Sequence, residues 1–578
     1  MSGSQQHSRR GDRHDRRTFL RRGLLAGGAL AGTGAAIWAA TNWGGPPAPP
    51  RRRRPGEQPN ILVIIVDQMR YPQWFSPHLD AAGTLPNLAR LRDGAVSFAR
   101  HYTASNDCTP SRAALLTGLY THQTGCMITG SSTLSPGFPT WGTILREQGY
   151  DTHWYGKWHL TFHDGHWTRG LGAPILESYG FSGGTYPSPN GGPGQGWRVD
   201  PHIARQFAEW FAHEGGGGPW CTTVSLVNPH DISWWYALTD RERHERSAPA
   251  VVRRLPPNFE TPHLLLARHK PRLQRSLQET SAASFGGVPF SGPDLVPAWL
   301  PFLDLYVKLQ QDVDRNIGEI MRRLHSKPDV AANTVVVFTS DHGEYGASHG
   351  MRGKGAAVYE EGIRVPLLVK DPRGKLTRAP SRTRTQLTSS VDVTPLLLTI
   401  ATGSNAWRSE PHYSHIAGRL DLAAILADPA APGRPYVLHA TDEIITEYAI
   451  DLYAADAPLH IVAIRTDRAK YALYTNWAHG RFETLTRGEE AELYDYRTHE
   501  GRLELHNSAG RSSLEAAMRA LLERALAAEL RGALPPRLTS AREDGFRDYF
   551  TNAQHGARFA AARRRRRAEE LRHRPTLF

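Results

Sequence analysis

An unbroken apolar run that ends in a carboxylate is the feature that most restricts the fold of this chain. In Asn60–Asp67, six successive apolar residues precede the final aspartate. Because the run shows no alternation of apolar and polar residues, it predicts a strand that is covered on both faces, as in a parallel sheet. A second run, Thr334–Thr339, also contains successive apolar residues without alternation, and it leads into Asp341 and His342.

An amphipathic helix is predicted just before the second strand. Apolar residues recur there every three or four positions, at Leu305, Leu309, Val313, Ile317, Met321 and Leu324. This spacing places one apolar stripe on a helix, and the stripe would pack against the sheet. Alternation of strand, helix and strand predicts an α/β fold with a doubly wound, mostly parallel sheet. With 578 residues, the chain has room for one large domain and a smaller one.

Two weaker candidate strands also lead into polar residues. Residues 222–227 precede His230, and residues 150–155 precede Lys157 and His159. The carboxyl ends of parallel strands lie along one edge of a sheet, and open α/β sheets bind their ligands at that edge. We therefore expect the polar residues that follow all four strands to meet in one site.

The sequence pattern changes from about residue 410 onward. Residues 470–475 alternate like a half-buried strand, residues 492–495 fit another strand, and residues 512–530 have a helical composition. We expect a smaller antiparallel-sheet subdomain with a helix. The predicted division is a signal segment at 1–43, a linker at 44–59, a catalytic domain at 60–420, a C-terminal subdomain at 421–550 and a basic tail at 551–578.

The formal net charge of +13 resides in the two ends of the chain. Residues 1–59 carry a net charge of +8 and residues 558–578 a net charge of +6, so the body between them sums to −1. A charge run at a chain end is usually a solvated segment. The folded part therefore has no general attraction for nucleic acid, and we predict no nucleic-acid partner.

The N-terminus has the layout of a twin-arginine export signal. Arg16 and Arg17 precede a Gly/Ala/Leu-rich apolar run over residues 24–40. The run is short and glycine-rich for a transmembrane helix, and it lacks a clear A-x-A cleavage site. We predict recognition by the twin-arginine export machinery, and a protein that is secreted, periplasmic or anchored by a retained signal. The linker at 44–59 is rich in Pro and Arg and predicts an extended chain.

Cys108 begins the most distinctive stretch of the sequence. Of the three cysteines, Cys126 and Cys221 could form a disulfide in an exported protein, which would leave Cys108 over. Pro110 suits the first turn of a helix, so Cys108 should lie at or just before a helix N-terminus. That position, with Arg112 one turn later, would stabilise negative charge on residue 108. The alternative is a buried structural cysteine.

The segment Cys108–Gly118, C-T-P-S-R-A-A-L-L-T-G, resembles the C-x-P-S-R signature of the cysteine-type sulfatases in the alkaline phosphatase superfamily. Residues 149–159 are similar to the second signature of that family, with the bulkier Tyr155 where a small aliphatic residue is usual. The remaining matches follow in family order: the metal and sulfate segment at 340–344, 348–350 and Lys354, and the C-terminal ending at 492–495.

This resemblance implies the chemistry at residue 108. In such enzymes a separate formylglycine-generating enzyme oxidises the cysteine to formylglycine, so that enzyme is an expected partner. One hydroxyl of the hydrated aldehyde attacks sulfur, and the other later collapses to the aldehyde and expels sulfate. Because a thiol cannot perform the second step, Cys108 would be a precursor rather than a cysteine nucleophile.

The resemblance also implies a divalent metal at the strand ends. Asp67 and Asp341 would supply carboxylate oxygens, Gln68 an amide oxygen and His342 an imidazole nitrogen, together with residue Cys108. The pairs Asp67-Gln68 and Asp341-His342 depart from the common sulfatase set. They resemble those of the phosphonate monoester hydrolases and of some choline and aryl sulfatases. Calcium is the family default and is favoured, while manganese accepts mixed oxygen and nitrogen ligands.

Cations and histidines at the matching positions complete the expected site. Arg112, Lys157 and Lys354 correspond to the residues that hold the modified side chain and the sulfate oxygens. His159 and His230 correspond to residues for proton transfer. We expect His230 to protonate the leaving oxygen and His159 to promote sulfate release.

The sequence therefore predicts an exported sulfuric ester hydrolase of the arylsulfatase type. The departures at Gln68 and His342 motivate an alternative, a phosphonate or phosphate ester hydrolase with the same machinery. A non-catalytic relative that binds sulfated glycans would show gaps among the catalytic positions, and the sequence shows none. A wall-associated protein that works through its basic tails is the other non-enzymatic alternative. The substrate, either a small molecule or a glycan sulfate ester, is left open.

Overall fold

The computed structural model describes residues 58–71, 81–129, 132–163, 166–167, 172–235, 250–285, 287–380, 382–443, 457–478 and 483–551. The expected signal segment, nearly all of the linker and nearly all of the basic tail lie outside the described residues. Within the described ranges, the search for a helix of sufficient length and apolar character to cross a membrane finds none.

A mixed eight-stranded sheet forms the centre of the large domain. The strands of this part of the chain are β1 (Asn60–Asp67), β2 (Val96–Tyr102), β3 (Asp151–Gly156), β4 (Phe162–His163), β5 (His166–Trp167), β6 (Ser182–Gly183), β7 (Trp220–Pro229), β8 (Thr334–Ser340), β9 (Arg364–Lys370) and β10 (Thr388–Ser389). Their order in the sheet is β10-β2-β9-β8-β1-β7-β3-β6, and β4 pairs with β5 separately. Among the described strands of the sheet, β9 alone runs antiparallel to its neighbours, β8 and β2. The predicted doubly wound, mostly parallel sheet is confirmed.

Helices connect and cover these strands. The α-helices are Ala81–Thr84, Pro86–Arg92, Cys108–Thr117, Thr121–Thr124, Trp141–Glu147, Gly172–Ser178, Gln195–His213, Pro262–Ala267, Arg272–Phe285, Leu295–His325, Pro328–Ala332, Glu360–Ile363, Val393–Thr402, Leu422–Ala427, His499–Arg502 and Glu515–Ala525. The shorter 3-10 turns are His230–Trp234, Ser348–Gly350, Ser390–Asp392, Ala406–Ser409 and Pro411–Tyr413, and Leu526–Leu530 is a π-helical turn.

The strand β1 is buried on both faces, as its continuous apolar run predicts. Its odd-numbered apolar residues join one core with Trp141 and Leu397, and its even-numbered ones join a second core with Phe207 and Ile317. All six apolar side chains of β1 are fully buried. Two layers of helix therefore enclose the sheet, and only the strand ends are left to form a site.

The long helix Leu295–His325 confirms the predicted apolar stripe. All six residues of that stripe are buried. Val313, Ile317, Met321 and Leu324 pack with the sheet, whereas the earlier part of the stripe belongs to a separate cluster around Trp299. The periodicity therefore predicts the helix, and the helix serves two cores rather than one.

The C-terminal part forms the predicted smaller antiparallel sheet. Its strands are β11 (Val437–Thr441), β12 (His460–Arg465), β13 (Ala469–Trp477) and β14 (Thr484–Asp495), paired in that order. All three pairings are antiparallel. Residues of the helix Glu515–Ala525 pack in the core of this sheet. The exact domain boundaries stay predictions.

All three cysteines are free and buried. Cys126 and Cys221 lie in the core on one side of the large sheet and do not form the disulfide that the sequence left open.

The end of β3 approaches β7 so closely that it requires glycine. Gly156 has φ +98°, and a Cβ built there would lie 1.9 Å from the carbonyl oxygen of Ser225. We expect Gly156→Ala to lower the free energy of unfolding by about 3 kcal/mol or more, because the two backbones must separate and the left-handed conformation disfavours a side chain.

Gly374→Ala is the matched control, since Gly374 has φ +65° and open space around its Cβ position. This control should cost about 1 kcal/mol, the conformational term alone. Urea unfolding followed by circular dichroism measures both values. Equal losses for the two variants would contradict the close approach of β3 and β7.

Candidate active site

The four strands that lead into polar residues are neighbours in the sheet, in the order β8-β1-β7-β3, and they run parallel. Their carboxyl ends therefore lie along one edge. Asp67 ends β1, and Asp341 with His342 follows β8. Lys157 follows β3 and His230 follows β7. The structure brings these residues together, as expected from the strand ends.

Cys108 is the first residue of a ten-residue helix that ends at Thr117. The preceding residue, Asp107, caps this helix, because its side chain accepts a hydrogen bond from the Cys108 backbone N–H at 2.8 Å. Pro110 lies in the first turn, where a missing N–H costs little. Gly118 ends the helix in the left-handed conformation. Cys108 therefore lies at a helix N-terminus, where the sequence places it.

Charged side chains surround the thiol of Cys108, a residue that is 1% exposed. Its Sγ lies 3.1 Å from His342 Nε2 and 3.7 Å from Asp67 Oδ1. The ammonium groups of Lys354 and Lys157 lie 3.4 Å and 3.6 Å from the same sulfur. Residue 108 is therefore held between two cations and two groups that can bind a metal.

Arg112 binds two carboxylates at once. Its Nε donates to Asp341 Oδ2 and its Nη2 donates to Asp67 Oδ2, both at 2.9 Å. Its Nη1 donates to the Lys157 carbonyl at 2.8 Å and to Ser225 Oγ at 2.9 Å. The planar guanidinium suits this fork of acceptors. Two of these four hydrogen bonds make Arg112 a clamp for the aspartates, a contact that the sequence does not predict. Its expected role toward the modified residue and the sulfate stays a prediction.

Lys157 and Lys354 are paired differently. Lys157 Nζ lies 2.7 Å from Asp67 Oδ2. Lys354 Nζ donates to Gln68 Oε1 at 2.6 Å, and that oxygen also accepts from Ser233 Oγ at 3.2 Å. Because these donors engage the amide oxygen of Gln68, its role as a metal ligand stays a prediction.

The two clamped aspartates have opposite pKa shifts. Burial and the negative charge of Asp67 raise the pKa of Asp341. Burial also acts to raise the pKa of Asp67, but Lys157, His230 and Arg112 outweigh it and hold that pKa well below its usual range. The cations around Asp67 therefore favour its ionised form more strongly than that of Asp341.

The thiol of Cys108 does not carry the negative charge that its helix position suggests. Burial and the charge of Asp67 raise its pKa well above the usual value, against the effect of Lys157 and Lys354. For the thiol, loss of hydration and the charge of Asp67 thus outweigh the two lysines, and the expected stabilisation of an anion on the modified residue stays a prediction. An unmodified Cys108 is protonated and is a poor nucleophile.

His230 and His159 are buried beside these charges. His230 opens the turn after β7 and packs against Gly191, where a Cβ would come within 2.5 Å of the imidazole. His159 has φ +59°, and its carbonyl accepts a hydrogen bond from Thr109 Oγ1 at 2.8 Å. Burial, together with the charge of Lys157, holds the pKa of both histidines well below the usual value. Both imidazoles are therefore neutral near pH 7 while no anion is bound.

Four of the predicted metal ligands have donor atoms within 4.8 Å of one another, namely Asp67, Cys108, Asp341 and His342. His342 Nε2 lies 3.6 Å from Asp67 Oδ1 and 3.7 Å from Asp341 Oδ1. His342 Nδ1 lies 3.0 Å from the Gly343 carbonyl, a contact that assigns the proton to Nδ1 and leaves the Nε2 lone pair for a metal. This donor set fits a divalent cation that accepts both oxygen and nitrogen.

Two carboxylates at the site have no role in the sequence-based prediction. Asp107 lies beside Cys108, and its only sequence signal is a polar residue before a predicted helix, which is typical of a cap. Glu344 accepts hydrogen bonds from Gln68 Nε2 and, at 2.7 Å, from the Gly353 backbone N–H. Glu344 therefore ties the Gln68 amide to the loop that carries Lys354.

The fold and the site together define an α/β protein with a buried, metal-capable centre at the carboxyl edge of its sheet. The family model described as Sulfatase matches residues 59–404, more than half of the chain. The chain belongs to the sulfatase family. The predicted family resemblance and the predicted hydrolase acting on sulfate esters are thereby confirmed.

Named relatives agree with this assignment. The chain is 27% identical to the uncharacterized sulfatase YidJ of Escherichia coli over 380 residues, which cover 60% of this chain and 68% of YidJ. It is 24% identical to mouse arylsulfatase K over 457 residues, which cover 74% of each chain. Among solved structures, the phosphonate monoester hydrolase SpPMH from Silicibacter pomeroyi is similar with a TM-score of 0.60 and 22% identity. That similarity covers 83% of this chain and 97% of SpPMH and shows a shared fold.

The clamp formed by Arg112 should be a main source of stability at the site. We expect Arg112→Gln to lower the free energy of unfolding by about 3–5 kcal/mol, because it leaves Asp67 and Asp341 buried with one cation fewer. Arg275→Gln is the control, since Arg275 pairs at 3.1 Å with Glu279 and both side chains are about half exposed.

The control variant should lose less than about 0.5 kcal/mol. Chemical denaturation of the purified full chain measures both losses. A loss for Arg112→Gln as small as that of the control would show that the two aspartates do not depend on the clamp.

Proposed function

We propose that this sulfatase cleaves sulfate monoesters, of the arylsulfatase type, through a formylglycine made from Cys108 and with a divalent metal. The observation that carries the proposal is the position of Cys108 Sγ. It lies within 3.7 Å of His342, Asp67, Lys157 and Lys354, at a helix N-terminus on the carboxyl edge of the sheet. Because oxygen replaces this sulfur in formylglycine, the position of Sγ indicates where the oxygen atoms of the modified residue would lie.

Oxidised to the aldehyde and hydrated, residue 108 supplies one hydroxyl that attacks sulfur and a second whose collapse expels sulfate. The surrounding side chains then have distinct tasks. Lys157 and Lys354 hold the anionic oxygens of the ester, because their ammonium groups lie closest to residue 108. Burial keeps water away and strengthens both interactions.

The two neutral histidines are suited to move protons at the reacting oxygens. An anion that enters beside His230 raises the pKa of that imidazole, since it opposes the effect of Lys157 and Lys354. His230 can then carry the proton that the leaving alcohol needs, and His159 can accept the proton that is released when sulfate leaves. We assign these roles to the same two residues that the family signatures indicate.

The metal would be held by the carboxylates of Asp67 and Asp341, by His342 Nε2 and by residue 108. When bound, it supplies positive charge next to the ester oxygens. Calcium is the metal that we propose, with manganese as its competitor because His342 contributes a nitrogen ligand. Arg112 keeps the two carboxylates oriented for this ion.

The proposal also includes the maturation and the export of the chain. The motif C-T-P-S-R at Cys108 matches the sequence that a formylglycine-generating enzyme reads, and Arg16-Arg17 matches a twin-arginine signal. We propose that both systems act on this chain, which then functions as a secreted, periplasmic or signal-anchored enzyme. The substrate is a small-molecule or glycan sulfate ester.

The decisive test of the mechanism is the chemical state of residue 108. Peptide mass analysis of active protein should find an aldehyde at Cys108 and an unmodified thiol at Cys126. Cys108→Ala should lower kcat/KM for an aryl sulfate by about a thousandfold or more, because it removes the nucleophile. Cys126→Ala, a change at another buried cysteine, should leave kcat/KM unchanged. Fully active protein with an intact thiol at Cys108 would refute the mechanism.

Substrate preference distinguishes the proposed function from its nearest rival. The pairs Asp67-Gln68 and Asp341-His342 favour a phosphonate monoester hydrolase as the second candidate. We expect kcat/KM for an aryl sulfate to exceed that for an aryl phosphonate monoester with the same leaving group. The comparison should use a single preparation in which the aldehyde content of residue 108 is known. A preference for the phosphonate would establish the rival function and reject the sulfatase preference.

A further inference from the structure

Asp107 lies closer to the metal-capable atoms than its role as a helix cap requires. Its Oδ1 is 3.4 Å from Cys108 Sγ and 3.4 Å from His342 Nε2. The two carboxylates expected to bind the metal, Asp67 and Asp341, lie 3.6 Å and 3.7 Å from the same nitrogen. Asp107 is thus at least as close to His342 as either of them.

These separations are those of neighbouring ligands on one ion. Calcium binds oxygen at 2.3–2.6 Å, so two ligands at right angles on it are separated by roughly 3.3–3.7 Å. The distances from Asp107 Oδ1 to the sulfur of Cys108 and to His342 Nε2 both fall in this range. A cation that touches residue 108 and His342 therefore has the carboxylate of Asp107 within reach.

The other contacts of Asp107 leave room for such a bond. Its Oδ1 accepts from the Cys108 backbone N–H at 2.8 Å and lies 3.1 Å from Lys354 Nζ. Each carboxylate oxygen has about two lone-pair sites, so these two contacts occupy Oδ1 and leave the sites of the second oxygen, Oδ2, for a metal. Meanwhile the amide oxygen of Gln68 is engaged by Lys354 and Ser233. The carboxylate of Asp107 therefore has a second oxygen to offer to the ligand set, whereas Gln68 has only the one that is engaged.

We infer that the carboxylate of Asp107 is a further ligand of the divalent metal, added to Asp67, Asp341, His342 and residue 108. This inference rests on the metal-dependent function proposed above. The simpler reading gives Asp107 only two tasks, a cap for the helix and an ion-pair partner for Lys354. The two interpretations differ in whether removal of the carboxylate weakens the binding of the metal.

The test measures metal affinity rather than turnover. The full chain is freed of metal with a chelator, and Ca²⁺ and then Mn²⁺ are titrated by calorimetry into the wild type and into Asp107→Ser. Serine is also a preferred helix cap, so the helix keeps its cap, but its short side chain loses the charge and the reach of the carboxylate. Peptide mass analysis confirms that residue 108 is in the same chemical state in both proteins.

Asp421→Ser is the matched control. Asp421 caps the helix Leu422–Ala427 through a hydrogen bond from the Ala423 backbone N–H at 3.1 Å, and its carboxylate contacts Ala423, Ala424 and Asn405 rather than the residues around Cys108. We expect Asp107→Ser to raise the metal dissociation constant at least about tenfold and Asp421→Ser to leave it unchanged.

Each remaining outcome counts against a different claim. If the wild type and Asp107→Ser bind the metal equally well, Asp107 is a cap and an ion-pair partner only, and the proposed function stands. If the wild type binds neither Ca²⁺ nor Mn²⁺, the metal-dependent mechanism itself fails, and the assignment of Asp107 fails with it.

Discussion

The site depends on one guanidinium placed between two buried carboxylates. Asp67 and Asp341 come from adjacent parallel strands, so the fold forces their charges together in a place without water. Two such charges repel strongly at low dielectric unless a cation lies between them. Arg112 provides that cation and contacts each carboxylate at 2.9 Å. Because a guanidinium is planar and rigid, the same contacts fix the orientation of both carboxylates.

The clamp also positions the helix that carries the nucleophile. Arg112 lies one turn after Cys108 on the helix, so its bonds to β1 and β8 dock the helix N-terminus on the edge of the sheet. A hydrogen bond from Ser111 Oγ to the Asp341 carbonyl adds a second anchor on the same turn. One short helical turn thus connects the alignment of the metal-capable aspartates to the placement of residue 108. Such preorganisation is what lets charged groups stabilise a transition state without rearrangement.

The sequence predicts what depends on local pattern and misses what depends on three-dimensional charge. The apolar run of β1 and the polar residues at strand ends are local signals, and they correctly predict the sheet and the edge where the site forms. The contacts of Arg112 and Gln68 depend on which groups face each other across strands, which no local pattern encodes. The raised pKa of the Cys108 thiol depends on burial and on Asp67, 41 positions away, so the position of Cys108 on its helix does not by itself give the direction of that shift. The sequence does not single out Asp107, because a polar residue before a helix is already explained as its cap.

Under the proposed function, the charges gathered at residue 108 favour one kind of ester. Three carboxylates, Asp67, Asp107 and Asp341, form ion pairs with three cations, Arg112, Lys157 and Lys354, and their charges cancel. Glu344, whose pKa is raised by burial, is not part of these pairs. A divalent metal adds two positive charges, which one deprotonated nucleophile and one singly charged ester would neutralise. A doubly charged ester would leave a buried excess of negative charge, and such an excess is costly away from water. Sulfate monoesters carry one charge, as do phosphonate monoesters, so charge alone separates both from phosphate monoesters. The choice between sulfur and phosphorus must then come from how the groups around residue 108 meet the reacting atom and not from the total charge.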